Sequence, residues 1–397
     1  MSTFKTNFTT ITAILPHPKP DVHSLQIAKC YDFDVIVRKD TFKVGDAVFY
    51  VQIDSILPMD LEQLIFGKDS KIKLTKGRVK QIRIQGYPSQ GMLISKEQIR
   101  TLLGNRGLQA SLEFELEKDY SELLEIKKYE VLDDPSTKIS NTSKKKRVDL
   151  NPLFHQYNGL ENVKYYPNAL DGLEVVIQEK IHGSLGRLAY LPTMTGEFDF
   201  SKKYILENLT HNFNVAKRKL MLKLGLLPKY SFAWGSNTVD RTFKRDGGFY
   251  EKDVWLQAFE SADLFNKIEK DTILYGEIVF EGCQKGYHYG HRQPHFILYD
   301  VKRFDAEGNW TWDCPERVEQ FARNVGLDFV PVLYVGKYNL QLAKELGTGK
   351  SHYFPDHIIE GVVIKATYPT IEGLPSKKGM FKCINPEFLD RDQSDFR

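Results

Sequence analysis

Leu173-Glu174-Val175-Val176-Ile177-Gln178-Glu179-Lys180-Ile181-His182-Gly183-Ser184 sets a lysine behind a β-branched apolar run and a glycine three residues after it. Val175, Val176 and Ile177 favour an extended strand. Gly183 permits a sharp turn and lets a ligand approach the backbone closely. On this reading Lys180 stands at the mouth of a pocket. A lysine amine becomes a nucleophile only when burial or neighbouring cations lower its pKa, so basic company must come from elsewhere in the chain. The spacing alone more often marks a solvated lysine before a turn, and the later stretches carry the argument.

Those stretches come in a fixed order. Ile273-Leu274-Tyr275-Gly276-Glu277-Ile278-Val279 is an apolar strand pattern carrying one acid, and His295-Phe296-Ile297-Leu298-Tyr299-Asp300-Val301 carries aromatics and an acid. Ile358-Ile359-Glu360-Gly361-Val362-Val363-Ile364-Lys365 is a third, followed by Met380-Phe381-Lys382-Cys383. Charges inside runs that should be buried are unfavourable without partners. Acids and lysines on such strands therefore predict a polar pocket between sheets.

The series Lys180-Ile181-His182-Gly183, Tyr275-Gly276-Glu277, Phe296 through Asp300, Glu360-Gly361-Val362-Val363 and Phe381-Lys382 resembles the ordered motifs of ATP-dependent polynucleotide ligases. Glu-Lys-Ile-His-Gly and Phe-Lys-Cys are most similar to phage and kinetoplastid RNA-editing ligases. The resemblance spans about residues 150–390 and implies an α+β chain whose ATP-grasp-like nucleotidyltransferase domain has antiparallel sheets and flanking helices. It implies that Lys180 attacks the α-phosphorus of ATP to give a lysyl-AMP. Lys382 is then a fixed positive charge that also lowers the Lys180 pKa, and Glu277 and Glu360 hold Mg2+ or Mn2+ or the ribose hydroxyls. Phe296 offers a face on which adenine stacks, and Glu179, His182 and Gly183 complete the nucleotide site. The implied substrate is RNA with 3′-OH and 5′-phosphate ends, free or in a nicked duplex.

The chain departs from that pattern in places. His182 stands where many ligases have aspartate, and Ile384 where phage-type enzymes carry a second lysine, a gap that Lys365, Lys377 or Lys378 would fill. Ser236 and Arg241 are the candidates for the motif between the first and third. DNA ligases and GTP-using capping enzymes share the motif order but usually place their OB domain after the catalytic one. A non-catalytic RNA-binding protein on a dead ligase fold is opposed by the joint presence of Lys180, Glu277, Glu360 and Lys382.

Composition bounds the remainder. At 397 residues and 41% hydrophobic content the chain can build more than one core. Lys+Arg 55 against Asp+Glu 52 leaves only +3, so a nucleic-acid footprint must be local. Cys30, Cys283, Cys314 and Cys383 lack paired spacing, which fits a reducing compartment rather than a disulfide framework or zinc site. No apolar run reaches membrane-spanning length and Met1-Ser2-Thr3-Phe4-Lys5 is no signal peptide, so a monomeric cytoplasmic or nuclear protein is expected.

Short strand patterns at Asn7 to Ile14, Leu25 to Ala28, Phe33 to Val37 and Ala47 to Ile53, with turns between, predict a small barrel over residues 1–130. Val44 to Tyr50 with Asp54 to Pro58, and Ile84 to Gly91, resemble the OB-like module that precedes the catalytic domain in one branch of RNA ligases. Lys71, Lys73, Lys76, Arg78, Lys80 and Arg83 are expected on one face of a strand, as a phosphate-binding ribbon. Charging of Lys180 needs no RNA and is expected to be independent of this barrel. Residues 131–150, with Lys144 to Arg147, read as a polar linker to a catalytic domain at 151–397. Residues 201–227 read as an amphipathic helix, basic at Lys217, Arg218, Lys219 and Lys223, and His288, His291 and His295 as a loop near RNA rather than a metal site.

Overall fold

The computed structural model describes residues 4–68, 73–108, 111–129, 151–157, 159–194, 205–242, 250, 252–284, 286–367 and 379–390. The expected linker, Lys71, Lys377 and Lys378 lie outside them.

The N-terminal strands are β1 (Thr6–Pro16), β2 (Leu25–Cys30), β3 (Phe33–Arg38), β4 (Ala47–Val51), β5 (Ser55–Ile56), β6 (Ile82–Ile84), β7 (Tyr87–Ser89), β8 (Met92–Ser95) and β9 (Lys127–Lys128). β1 pairs with β4 through its first half and with β2 through its second, with a bulge between Ile11 and Ala13. That lets one long strand curl between two neighbours, in a five-stranded order β3-β2-β1-β4-β8. Helices α1 (Met59–Phe66) and α2 (Lys96–Asn105) close one side over Phe8, Phe49 and Ile94. Ser95 and Gln98 form a capping box that starts α2.

The basic ribbon is not a continuous strand. Thr75–Gly77 is a 3-10 turn with Lys76 at φ 53°, and Gly77 is needed there because a Cβ would meet Leu57 O at 2.7 Å. Lys73 and Lys76 are exposed and Lys80 is half-buried. Arg78 is buried, ion-paired to Asp54 at 2.6 Å and stacked 3.7 Å from the Tyr129 ring. Arg83 Nε donates to Asp390 at 2.6 Å. The expected single positive face is thus broken: Arg78 and Arg83 have acidic partners within the protein, and alternation fails at the turn.

The rest of the chain forms β10 (Glu161–Asn162), β11 (Glu174–Glu179), β12 (Ser184–Pro192), β13 (Tyr230–Gly235), β14 (Thr272–Val279), β15 (His295–Phe304), β16 (Trp310–Trp312), β17 (Asp328–Phe329), β18 (Val332–Lys337), β19 (Gly361–Ala366) and β20 (Met380–Ile384). Two mainly antiparallel sheets result, β10-β20-β19-β11-β18 and β13-β12-β14-β15-β16, with β17 alongside β15. Helices α3 (Ile205–Lys223), α4 (Val254–Ser261), α5 (Leu264–Lys267), α6 (Pro315–Val325), α7 (Leu340–Leu346) and α8 (Pro386–Leu389) connect them. α4 and α6 pack on the outer face of the second sheet through Trp255, Phe259, Val318 and Phe321. Lys217, Arg218, Lys219 and Lys223 lie exposed on α3, as does Phe213.

Barrel and catalytic sheets are locked together. Tyr165 joins the barrel core beside Phe33 and Tyr50, and Lys164 Nζ donates to Gln90 Oε1 at 2.7 Å. Gln81 Nε2 donates to Pro386 O at 2.7 Å, at the start of α8. No helix among the described residues is long and apolar enough to cross a membrane.

Gly276 fixes the spacing of β14 against β15, since a Cβ there would lie 2.3 Å from Ile297 O and 2.4 Å from the Phe296 ring. Gly276→Ala is therefore expected to destabilise the chain by about 1–3 kcal/mol, the range for overpacking. Urea unfolding checks this, and an unchanged midpoint would show that the strands have room to separate.

Candidate active site

Between the two catalytic sheets lies a cleft of about 670 Å³. β11 and the residue after it contribute Glu179 and Lys180, β19 contributes Val363 and Lys365, and β20 contributes Lys382. The facing sheet contributes Leu185, Glu277 and Tyr299, and Tyr157 and Val330 also line it. That volume includes space open to solvent, and the few convergent polar groups on its walls suit an anionic ligand such as a nucleotide.

Strand register brings the charges together. Lys180 N–H donates to Gly361 O at 2.9 Å, which sets the nucleophile candidate beside Glu360. Lys180 Nζ then donates to Glu360 Oε2 at 2.8 Å, with His182 Nδ1 3.6 Å from the same oxygen. Gly183 is required because a Cβ would come 2.6 Å from Ile278 O and 3.2 Å from Glu277 Oε2. The turn after Lys180 is thereby pressed against β14, next to the acid it carries.

Burial acts against the Lys180 ammonium, but Glu360 and Glu277 outweigh it and hold its pKa above the ordinary lysine value. This reverses the expectation that Lys382 lowers it. The depressed lysine is Lys382, through burial first and Lys180 second. Burial also opposes the Glu360 charge, yet Lys180 and His182 hold that carboxyl down at about 2. Glu277 goes the other way, to about 8, because burial and then the Glu360 charge outweigh attraction to Lys180. Two neighbouring carboxyls are thus split, one ionised and one carrying a proton at neutral pH. Glu277 Oε2 is buried without a hydrogen-bond partner. An orphaned oxygen beside an ionised carboxylate fits a divalent cation or a ribose hydroxyl, and both acids supply the hard oxygen ligands that Mg2+ or Mn2+ takes.

Other expected residues sit elsewhere. Phe296 is fully buried on the helix side, edge-on to Phe259 at 5.1 Å, and does not line the cleft. A register shift opposite Tyr275 and Gly276 changes the alternation of β15, so that Phe296, Leu298 and Val301 all join the outer core. Tyr299 faces the cleft instead. Arg241 lies under α4, 3.4 Å from Asp253 and 5.2 Å from the Trp255 ring, and is not among the cleft-lining residues. Lys365, a candidate for the missing second lysine, is bound to Asp300 at 2.8 Å and to Tyr299 O at 2.7 Å. Asp300 also accepts from Tyr157 OH at 2.6 Å. Glu179 turns its carboxylate to the loop after α7, accepting from Ser351 Oγ at 2.5 Å and from the N–H groups of His352 and Tyr353 at 2.8 and 3.0 Å. It braces the wall rather than meeting a base edge.

A second chamber opens from Lys180, Glu360 and Lys382 toward the barrel, where Asp54, Arg78, Lys128 and Tyr129 line it. Lys128 is close enough to depress the Lys382 pKa further. Lys128 thus brings a basic side chain from the N-terminal strands to the Lys382 side of the chamber, which Ile384 also lines.

A family model described as RNA ligase matches residues 173–384, and an OB-fold domain model matches residues 8–96. The chain belongs to the RNA ligase family. The solved structure of Naegleria gruberi RNA ligase with PPi is similar, at TM-score 0.67 and 17% identity over 99% of each chain. A mutant of that ligase with ATP and Mn gives 0.66 and 16% over 98% of each chain. At such identity the likeness establishes the shared fold. No curated protein sequence gives a match.

The raised Glu277 pKa has a consequence for stability. The folded carboxyl binds a proton between the ordinary 4.5 and about 8 where the unfolded one does not. Its contribution is therefore complete below 4.5 and is lost as pH rises through about 8. Thermal melts are expected to fall more steeply over that window in the unmodified protein than in Glu277→Gln. Parallel curves would show Glu277 ionised throughout.

Proposed function

We propose that this RNA ligase uses ATP to charge Lys180 with AMP and then joins RNA 3′-OH and 5′-phosphate ends. The observation that carries the reading is that Lys180, the unpartnered Glu277 oxygen and Lys382 line one cleft, with Glu360 paired to Lys180 where that cleft meets the second chamber. Domain boundaries at 1–130, 131–150 and 151–397 belong to the same proposal, with the barrel preceding the catalytic sheets as a substrate-facing wall.

In the first step Lys180 Nζ, having released its proton, bonds to the α-phosphorus, and the bond to the bridging oxygen breaks as pyrophosphate leaves. A 5′-phosphate oxygen then displaces Lys180 from that phosphorus, and finally the 3′-hydroxyl, losing its proton, displaces AMP from the RNA phosphorus. Such in-line transfers depend on positioning and charge neutralisation. Glu277 and Glu360 would hold Mg2+ or Mn2+, which would supply neutralising charge at the phosphate oxygens. Lys382 and Lys128 give the phosphates fixed positive partners on the chamber side. Tyr299 and Val363 line the cleft from opposite sheets, so the adenine ring lies between them. Gly183 lets the backbone approach the nucleotide, and Glu179 keeps the cleft wall in place through Ser351 and Tyr353. Nothing in these contacts selects ATP over GTP. The adenine assignment rests on the resemblance and on the ATP-bound relative.

The test is joining of a 5′-phosphorylated RNA to a 3′-hydroxyl RNA with ATP and Mg2+, as free ends and across a nick. Product is expected from the native chain and none from Lys180→Ala. Absence of product on both substrates would return the protein to the non-catalytic RNA-binding class. Tyr299→Ala is expected to raise the KM for ATP by roughly tenfold, within the range for loss of a base–aromatic stack. Phe296→Leu should instead lower the melting temperature with KM unchanged, and the reverse pattern would restore Phe296 as the stacking residue. Because Lys128 and Arg78 line the chamber beside Lys180, charging is expected to depend on the barrel. Lys128→Ala should slow formation of the labelled enzyme without changing the melting temperature, and unchanged charging would confine the barrel to RNA binding.

A further inference from the structure

Outside the cleft, the described residues bring one group of imidazole and carboxylate side chains together. His291 and His295 stack face to face, with centroids 3.8 Å apart and planes within 4°. His295 Nε2 lies 2.7 Å from Asp328 Oδ2 on β17, and Tyr353 OH donates to that same oxygen at 2.8 Å. His291 Nε2 is 3.1 Å from Tyr353 OH. One ligand atom from each of His291, His295 and Asp328 falls within 4.8 Å of the others. Nearby histidines are committed differently: His357 Nε2 accepts from the N–H groups of His288 and Tyr289, and His288 Nδ1 accepts from Gly290 N–H.

We propose that His291, His295 and Asp328 bind one divalent transition-metal ion of the zinc class, at a site separate from the nucleotide cleft. Two imidazoles and one carboxylate form a donor set that suits Zn2+, and it is unsuited to Mg2+, which takes oxygen ligands and keeps its waters. Zinc bonds of about 2.0–2.1 Å with tetrahedral angles place ligand atoms roughly 3.4 Å apart, so the two rings swing out of their parallel stack for both in-plane lone pairs to meet at one ion. His291 and His295 are half-buried and Asp328 is exposed, which gives the ion an entry path and leaves a fourth position for water. Tyr353 OH, already on Asp328, orients the carboxylate from outside.

The site sits where elements of the cleft wall meet. Asp328 is two residues before Val330, which lines the cleft, and the Tyr353 N–H is held by Glu179 beside Lys180. An ion there ties the start of β15, β17 and the 351–353 loop to one point. It braces the wall without touching the phosphates.

The experiment titrates Zn2+ into the full chain against a chromophoric chelator, and separately titrates Co2+ while recording visible absorption. One equivalent is expected to bind, with Co2+ ligand-field bands and no thiolate charge-transfer band, and Zn2+ should raise the melting temperature. His291→Gln, His295→Gln and Asp328→Asn should each abolish this binding. Tyr353→Phe should weaken it roughly 10–100-fold, as removal of an outer hydrogen-bond partner does, whereas Glu277→Gln should leave it intact. Melting in chelator shows whether each variant is folded. Failure of the native chain to bind Zn2+, thiolate bands, or equal binding by the folded His295→Gln and Asp328→Asn variants would overturn the proposal.

Discussion

The ion pair between Lys180 and Glu360 is the contact on which the arrangement of the cleft depends. It joins the end of one strand to the start of another, beside the Lys180 N–H to Gly361 O bond that sets their register. Gly361, at φ 148°, in turn lies so close to β20 that a Cβ would be 2.2 Å from Cys383 O. Any side chain there would push β20 away and carry Lys382 with it. Position, charge and register are thus one constraint, expressed through Gly361 and two opposite charges.

That pair also defines the resting electrostatics. With Glu360 held ionised, the Lys180 amine is protected as an ammonium, and the second carboxyl keeps its proton. The protein is therefore poised rather than pre-activated. Positive charge brought to the two acids frees both changes at once, because weakening the Glu360 attraction lowers the Lys180 pKa while favouring ionised Glu277. Lys382 alone does not have this effect, since its own charge is the one disfavoured.

Much of this was legible in the residues and some was not, for identifiable reasons. The β-branched runs around Val175, Ile273 and Val362 announced buried strands, and acids and lysines within them announced a polar pocket. The early barrel strands were legible from alternation and turn residues. Alternation puts Phe296 and Tyr299 on opposite faces of β15 without saying which face meets the ligand, and the bulge after Leu298, which carries Val301 to the Phe296 side, leaves no mark in composition. Alternation failed at Lys76, whose left-handed backbone breaks the basic ribbon. Partners far apart in the chain were equally hidden: Arg83 meets Asp390 at a separation of 307 residues, and Lys128 reaches the Lys382 side of the second chamber from the N-terminal strands. Charge counting gave no sign of either, because local charge says nothing about distant neutralisation. The histidine group was visible as residues, but Asp328 and Tyr353 come to it only through tertiary packing.

The central claim is that one lysine, paired to Glu360 at rest, becomes the covalent carrier. Incubating the native chain with ATP and Mg2+ and mapping the modified peptide by mass spectrometry tests it directly. A single AMP adduct on Lys180 is expected. An adduct on Lys365 or Lys382, or none on a chain shown to be folded, would contradict it.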